Sequence, residues 1–114
     1  MSVVIYHNPR CSKSRQTLAL LEERDIQPEI IKYLDTPPSI EQLKQLMSQL
    51  ELTDVRAMMR TKEDIYKELD LKSVDDETLF KAMVENPKLI ERPIVVANGK
   101  AKHGRPPEQV LEIL

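Results

Sequence analysis

The chain predicts an α/β fold built on a mixed sheet of about four strands. Three observations carry that expectation. A β-branched run, Val3-Val4-Ile5-Tyr6, precedes a helical pattern and a second strand-like run, Pro28 to Leu34. A third run, Pro93-Ile94-Val95-Val96-Ala97, leads into Asn98-Gly99, the strongest short hairpin signal. Between these two halves, residues 39–86 show helical spacing and no convincing strand.

Each element has its own justification. Val3 to Tyr6 is short and uncharged, which predicts a central strand buried on both faces and parallel to a neighbour. Asn8-Pro9 marks a turn, since Pro9 keeps Asn8 out of the helical region. A helix follows from about Ser12, a plausible N-cap, to about Arg24, with Leu18 and Leu21 on one face. With the strand from Pro28 to Leu34 this makes a β-α-β unit, whose crossover is right-handed and whose strands are parallel.

Asp35-Thr36-Pro37-Pro38 changes the character of the chain. Ser39-Ile40-Glu41-Gln42 is a capping-box pattern, and Ile40, Leu43, Leu46, Met47 and Leu50 follow at helical spacing. Further short helices are expected at Asp54 to Met59, Glu63 to Leu69 and Ser73 to Val84. Beyond the third run, Asn98-Gly99 predicts a type I′ turn and Lys100 to His103 an antiparallel return strand. Gly104 permits a sharp change of direction, and Pro106-Pro107-Glu108 opens a last helix with Val110, Leu111 and Leu114 on its core face. The order is β-α-β, a helical insertion at about residues 35–90, then β-β-α. These are the parts of a thioredoxin-like fold, expected as one domain spanning residues 1–114.

Composition narrows the functional classes. With 114 residues, 40% hydrophobic and 32% charged, the chain suits a globular protein with a real core. No apolar run approaches the roughly 20 residues that cross a bilayer, and the N-terminus lacks a secretory pattern. A net charge of -2 and 4% aromatics, without Trp, argue against a nucleic-acid binder. One cysteine excludes an internal disulfide and a thiolate-rich metal site. Two histidines and one cysteine at these positions make no recognisable metal site. The expectation is a cytoplasmic protein, where thiols stay reduced.

The chemistry gathers at His7-Asn8-Pro9-Arg10-Cys11-Ser12-Lys13-Ser14-Arg15. Most lone cysteines are small buried hydrophobes. Cys11 is instead flanked by Arg10, Lys13 and Arg15 and stands at a helix start, where unpaired N–H groups and the macrodipole favour thiolate. A phosphatase-type loop would place Arg at position 17, where Thr17 stands; a dithiol motif would place Cys at position 14, where Ser14 stands. The site therefore cannot close its own disulfide, and a thiol from another molecule, glutathione or a small thiol protein, must resolve any adduct. Ser14 is expected to donate a hydrogen bond to the thiolate. His7 reads either as a capped strand-end residue or as support for the thiolate, by charge or by hydrogen bond. His103 reads as structural.

Arg92 precedes Pro93 at the third strand, and the Arg92–Pro93 bond is predicted to be cis. Arg105 follows Gly104 at the last turn. Guanidinium groups at such turns suit tetrahedral oxyanions, which accept paired hydrogen bonds. Arg60, in the insertion, reads either as a surface residue or as a third anion ligand, with Arg56 nearby as its competitor.

Taken together, His7-Asn8-Pro9-x-Cys11-x-x-Ser14-Arg15, Tyr33-Leu34 with Pro37-Pro38, Glu91-Arg92-Pro93-Ile94-Val95-Val96 and Arg105-Pro106 resemble the arsenate reductase (ArsC) family across nearly the whole chain. These are the reductases that use glutathione and glutaredoxin. The resemblance implies a thioredoxin-like fold with a helical insertion, arsenate as substrate, glutathione as co-substrate, glutaredoxin as partner, no bound cofactor, and a role in arsenic detoxification. It also implies roles: Cys11 as nucleophile, His7 and Ser14 as the residues that support its thiolate, and Arg60, Arg92 and Arg105 as anion ligands. Two other readings use the same loop. One is a glutathione-linked monothiol oxidoreductase acting on disulfides. The other is an Spx-like redox regulator that binds a protein partner, although such regulators commonly carry a dithiol where this chain has Ser14.

Overall fold

The structure is a computed structural model and describes residues 2–114. Its chain divides into two compact units, residues 1–36 with 92–114, and residues 37–91. The first carries the sheet. Strands β1 (Val3–Tyr6), β2 (Glu29–Ile31), β3 (Ile94–Ala97) and β4 (Lys100–His103) lie in the order β2-β1-β3-β4. The β1–β2 pair is parallel, and the β1–β3 and β3–β4 pairs are antiparallel. The β-α-β unit and the later hairpin thus meet through β1 and β3, as in a thioredoxin-like fold.

Helix α1 (Ser12–Glu23) connects β1 to β2. Ile5 pairs with Val95 and Val3 with Ala97, which points these four side chains to one face of the sheet. There they form a cluster with Leu21 of α1 and with Val110 and Ile113 of a C-terminal 3-10 helix, Pro107–Ile113. Burying that cluster is the main favourable term for this unit. The opposite face of β1 is only half covered, at Val4 and Tyr6, so burial on both faces is not realised there.

Two elements differ in extent from expectation. Strand β2 stops at Ile31 because the Lys32 carbonyl accepts from the N–H groups of Asp35 and Thr36, which turns the chain. The last helix is 3-10 rather than α: the Gln109 N–H bonds to the Pro106 carbonyl and the Leu114 N–H to the Leu111 carbonyl, each three residues back. Asn98 and Gly99 have φ of 55° and 76°, the left-handed pair that a type I′ turn requires. Both Arg92–Pro93 and Arg105–Pro106 are cis; the sequence pointed only to the first.

The second unit is helical. Its helices are α2 (Ile40–Gln49), α3 (Asp64–Glu68) and α4 (Asp76–Glu85), joined by 3-10 turns at Val55–Met58, Leu71–Ser73 and Pro87–Leu89. The capping box is present, with Gln42 N–H to Ser39 Oγ at 3.2 Å and Ser39 N–H to Gln42 Oε1 at 2.9 Å. Asp75 caps α4 through the Thr78 N–H at 3.0 Å, so that helix starts later than Ser73. Leu43, Leu79, Met58, Met83 and Leu89 are fully buried. Met59 and Ile90 form a single antiparallel bridge, the one strand-like pairing among the described residues of this unit.

Gly104 is where close packing leaves no choice of residue. A Cβ there would lie 2.2 Å from Thr17 Oγ1 and 2.8 Å from Pro93 Cγ. Thr17 is fully buried and anchored, its hydroxyl donating to the Lys13 carbonyl at 2.8 Å. Gly104→Ala is therefore expected to destabilise the protein by about 1–3 kcal/mol through overpacking, read as a lower urea midpoint. Adding Thr17→Ala should recover part of that loss; strictly additive losses would show that the two residues are not in conflict.

Candidate active site

Cys11 is the N-cap of α1, one residue earlier than the sequence suggested. Its backbone is extended, with φ -92° and ψ 124°, while its carbonyl already accepts from the Arg15 N–H at 3.0 Å. The cysteine side chain thus occupies the position from which a serine or aspartate would serve the helix start. The loop before it is braced by Asn8. That residue's carbonyl accepts from the Cys11 N–H at 3.0 Å, and its Oδ1 accepts from the Arg10 N–H at 3.0 Å. Arg15 Nη1 donates to the Pro9 carbonyl at 3.0 Å and ties the loop to the first turn of the helix.

Burial acts first on the thiol and pushes its pKa up, since Cys11 is only 8% exposed. That effect is outweighed. The N–H of Ser14, the Arg92 guanidinium, the N–H of Lys13 and the Arg105 guanidinium all favour the charged sulfur, and the net direction is down. Arg105 Nη2 donates to Sγ at 3.8 Å, while its Nε donates to the Arg92 carbonyl at 2.8 Å. The second bond fixes the guanidinium plane and couples the two arginines.

Ser14 is fully buried and does something other than expected. Its N–H serves the thiol, but its hydroxyl accepts from the Asn8 N–H at 3.0 Å and is hydrogen-bonded to His7 Nδ1 at 2.6 Å. His7 is itself buried, and its pKa is lowered by that burial and then by the charges of Lys32 and Arg15. A neutral imidazole follows near pH 7. It supports the loop through a hydrogen bond and not through charge.

The chain matches the model of the ArsC family over residues 6–113. It belongs to that family. Among its relatives are an arsenate reductase of Haemophilus influenzae, 57% identical with all of both chains covered, and one of Neisseria meningitidis, 53% identical over 98% of this chain and 97% of that one. A solved structure described as an arsenate reductase from Vibrio cholerae shares 69% identity at a TM-score of 0.98, covering 100% of this chain and 98% of the other.

His7, Cys11, Ser14, Arg92 and Arg105 all lie in the sheet-bearing unit of this ArsC protein, and hydrogen bonds or charge connect each of them to Cys11 or its loop. Arg60 lies in the helical unit, half-buried and ion-paired to Glu63. Its competitor Arg56 is committed to the insertion itself: Nε donates to the Tyr66 hydroxyl at 3.0 Å, and Nη2 to the carbonyls of Leu71 at 2.7 Å and Val74 at 3.2 Å. The sequence reading missed the bracing roles of Asn8 and Arg15. Asn8 announced itself only as a turn former, and Arg15 only as one more positive charge.

The depressed thiol predicts a pH signature. Iodoacetamide should alkylate Cys11 with a midpoint below that of an ordinary thiol, about 8.5, and Arg105→Ala should move the midpoint upward. The linked effect on stability has a definite sign. A lowered folded-state pKa adds stability that is fully present above the unfolded thiol value and is lost as pH falls through the folded value. Wild type minus Cys11→Ser should therefore gain stability as pH rises through that window; a flat difference would refute the shift.

Proposed function

We propose that this ArsC-family chain is an arsenate reductase that depends on glutathione and glutaredoxin. The observation that carries the reading is the pairing of a thiolate-favouring Cys11 with Arg105 at 3.8 Å and the coupled Arg92. A cysteine disposed to thiolate and guanidinium groups suited to an oxyanion thereby lie together, which supports the reading. The names carried by its relatives, at more than half identity over the whole chain, support arsenate as that oxyanion.

The Cys11 thiolate attacks arsenic, an S–As bond forms, and one arsenate oxygen leaves as water after protonation. Glutathione then displaces a second oxygen as water, giving arsenic(V) held between two sulfurs. A glutaredoxin thiolate attacks the glutathione sulfur, and the pair of electrons in the S–As bond passes to arsenic. Glutaredoxin and glutathione leave as a mixed disulfide, arsenic is reduced to arsenic(III), and hydrolysis frees arsenite and the Cys11 thiol. Arg92 and Arg105 hold the oxyanion and offset its repulsion from the thiolate. The ArsC resemblance adds Arg60 as a third ligand, and His7 and Ser14 keep the loop in the shape that exposes the sulfur to arsenic. The need for reduced glutathione assigns the reaction to a cytoplasm.

The test is arsenate-dependent NADPH oxidation with glutathione, glutaredoxin and glutathione reductase present. Wild type should turn over, Cys11→Ser should be inactive, and Arg92→Ala or Arg105→Ala should lose at least about tenfold in kcat/KM for arsenate, with little change in unfolding midpoint. Reduction of a mixed disulfide without arsenate turnover would replace this reading by that of a general monothiol oxidoreductase.

A further inference from the structure

A recess of about 320 Å³ is lined by residues 7–10 of the nucleophile loop and by Lys32, Leu34 and Asp35. It is distinct in composition from the Arg92–Arg105 anion site, with which it shares no residue. Its size is at the lower end of small-molecule sites. From its residues we infer that this recess binds the tripeptide part of the co-substrate thiol, a zwitterion with two carboxylates and one ammonium, which is the chemistry of glutathione. The inference rests on the glutathione-dependent reading above.

Charge is the first argument. The recess presents two cations, Arg10 and Lys32, and one carboxylate, Asp35. None of the three makes an ion pair with another described residue. Two positive groups and one negative group are the complement of a molecule with two carboxylates and one ammonium, and a complementary set specifies orientation as well as charge. His7, which lines the recess, has its pKa lowered first by burial and then by the nearby Lys32 charge.

The second argument is preorganisation. Lys32 and Asp35 belong to one turn, closed by the Asp35 N–H to the Lys32 carbonyl at 2.9 Å. Arg10 belongs to the loop braced by Asn8 Oδ1 at 3.0 Å. Leu34, at 40% exposed, and Pro9 add apolar lining for the methylene chain of a γ-glutamyl group. Ordered walls lower the entropy cost of binding a flexible tripeptide.

Position is the third. Arg10 is the chain neighbour of Cys11, with Cα atoms about 3.8 Å apart, and an extended tripeptide spans about 10 Å. A tripeptide anchored at Arg10 is therefore long enough to span from the recess to the neighbouring Cys11, and Arg92 and Arg105 line no part of the recess.

The test uses S-methylglutathione, which cannot react, titrated into the full chain and followed by amide NMR shifts. The expected result is that shifts centre on residues 7–10 and 32–35, and that Lys32→Ala and Asp35→Asn each weaken binding about two- to fivefold, the size of one exposed ion pair. In the coupled assay Lys32→Ala should raise KM for glutathione by a similar factor and leave KM for arsenate unchanged. Shifts centred elsewhere, or full-strength binding to both variants, would overturn the recess whatever the activity. Shifts at the recess in a protein that reduces no arsenate would uphold the recess and overturn the arsenate reading instead.

Discussion

The contact between Arg105 and Cys11 joins residues 94 positions apart, and the sheet-bearing unit is arranged so that it can form. Cys11 caps the start of helix α1, and Arg105 stands just past the end of the β3–β4 hairpin. The two approach because Gly104 has no side chain: Thr17 and Pro93 occupy the space a Cβ would need. The same approach lets the Gly104 N–H reach the Pro93 carbonyl at 3.0 Å and Arg105 reach the Arg92 carbonyl. Packing of a few atoms at one glycine thus decides whether two guanidinium groups stand beside the sulfur or away from it.

Those guanidinium groups matter because burial works against the thiolate. A sulfur only 8% exposed, with no compensation, would hold its proton and be inert. The helix start supplies dipoles from Ser14 and Lys13, but these belong to any cysteine at such a position. The arginines supply the part that depends on the fold. Reactivity is consequently conditional on the native structure, and an unfolded or loosened chain has an ordinary thiol. His7 and Ser14 contribute in a different way. By satisfying the Asn8 N–H and one another inside the loop, they allow buried polar groups to stay there without loss.

How much of this was legible in the sequence depended on whether the signal was local. Strand β4, the Asn98-Gly99 turn and the Ser39–Gln42 capping box follow from residues within a few positions of one another, and they formed as read. The ArsC fold was readable from motifs in fixed order, and so was the gathering of Arg92 and Arg105 at Cys11. Bond partners were not. Nothing in the sequence says that the Ser14 hydroxyl would face His7 while its N–H faces the sulfur, because both are within reach of a helix start. The commitment of Arg56 to Tyr66, Leu71 and Val74 was equally hidden, since it depends on how helices ten and more residues away fold back. Gly104 looked like a turn glycine and is a contact glycine; only the position of Thr17 distinguishes the two.

Charge counting gives a physical reason for the third arginine in the proposed function. Arsenate, by analogy with phosphate, carries about 1.5 to 2 negative charges near neutral pH, and the thiolate adds one more. Arg92 and Arg105 provide two positive charges, and a helix start about half of one. The sum is close to balance only at the lower charge of arsenate, and it falls short for the dianion. A further cation removes the shortfall, which is the part the proposal gives to Arg60.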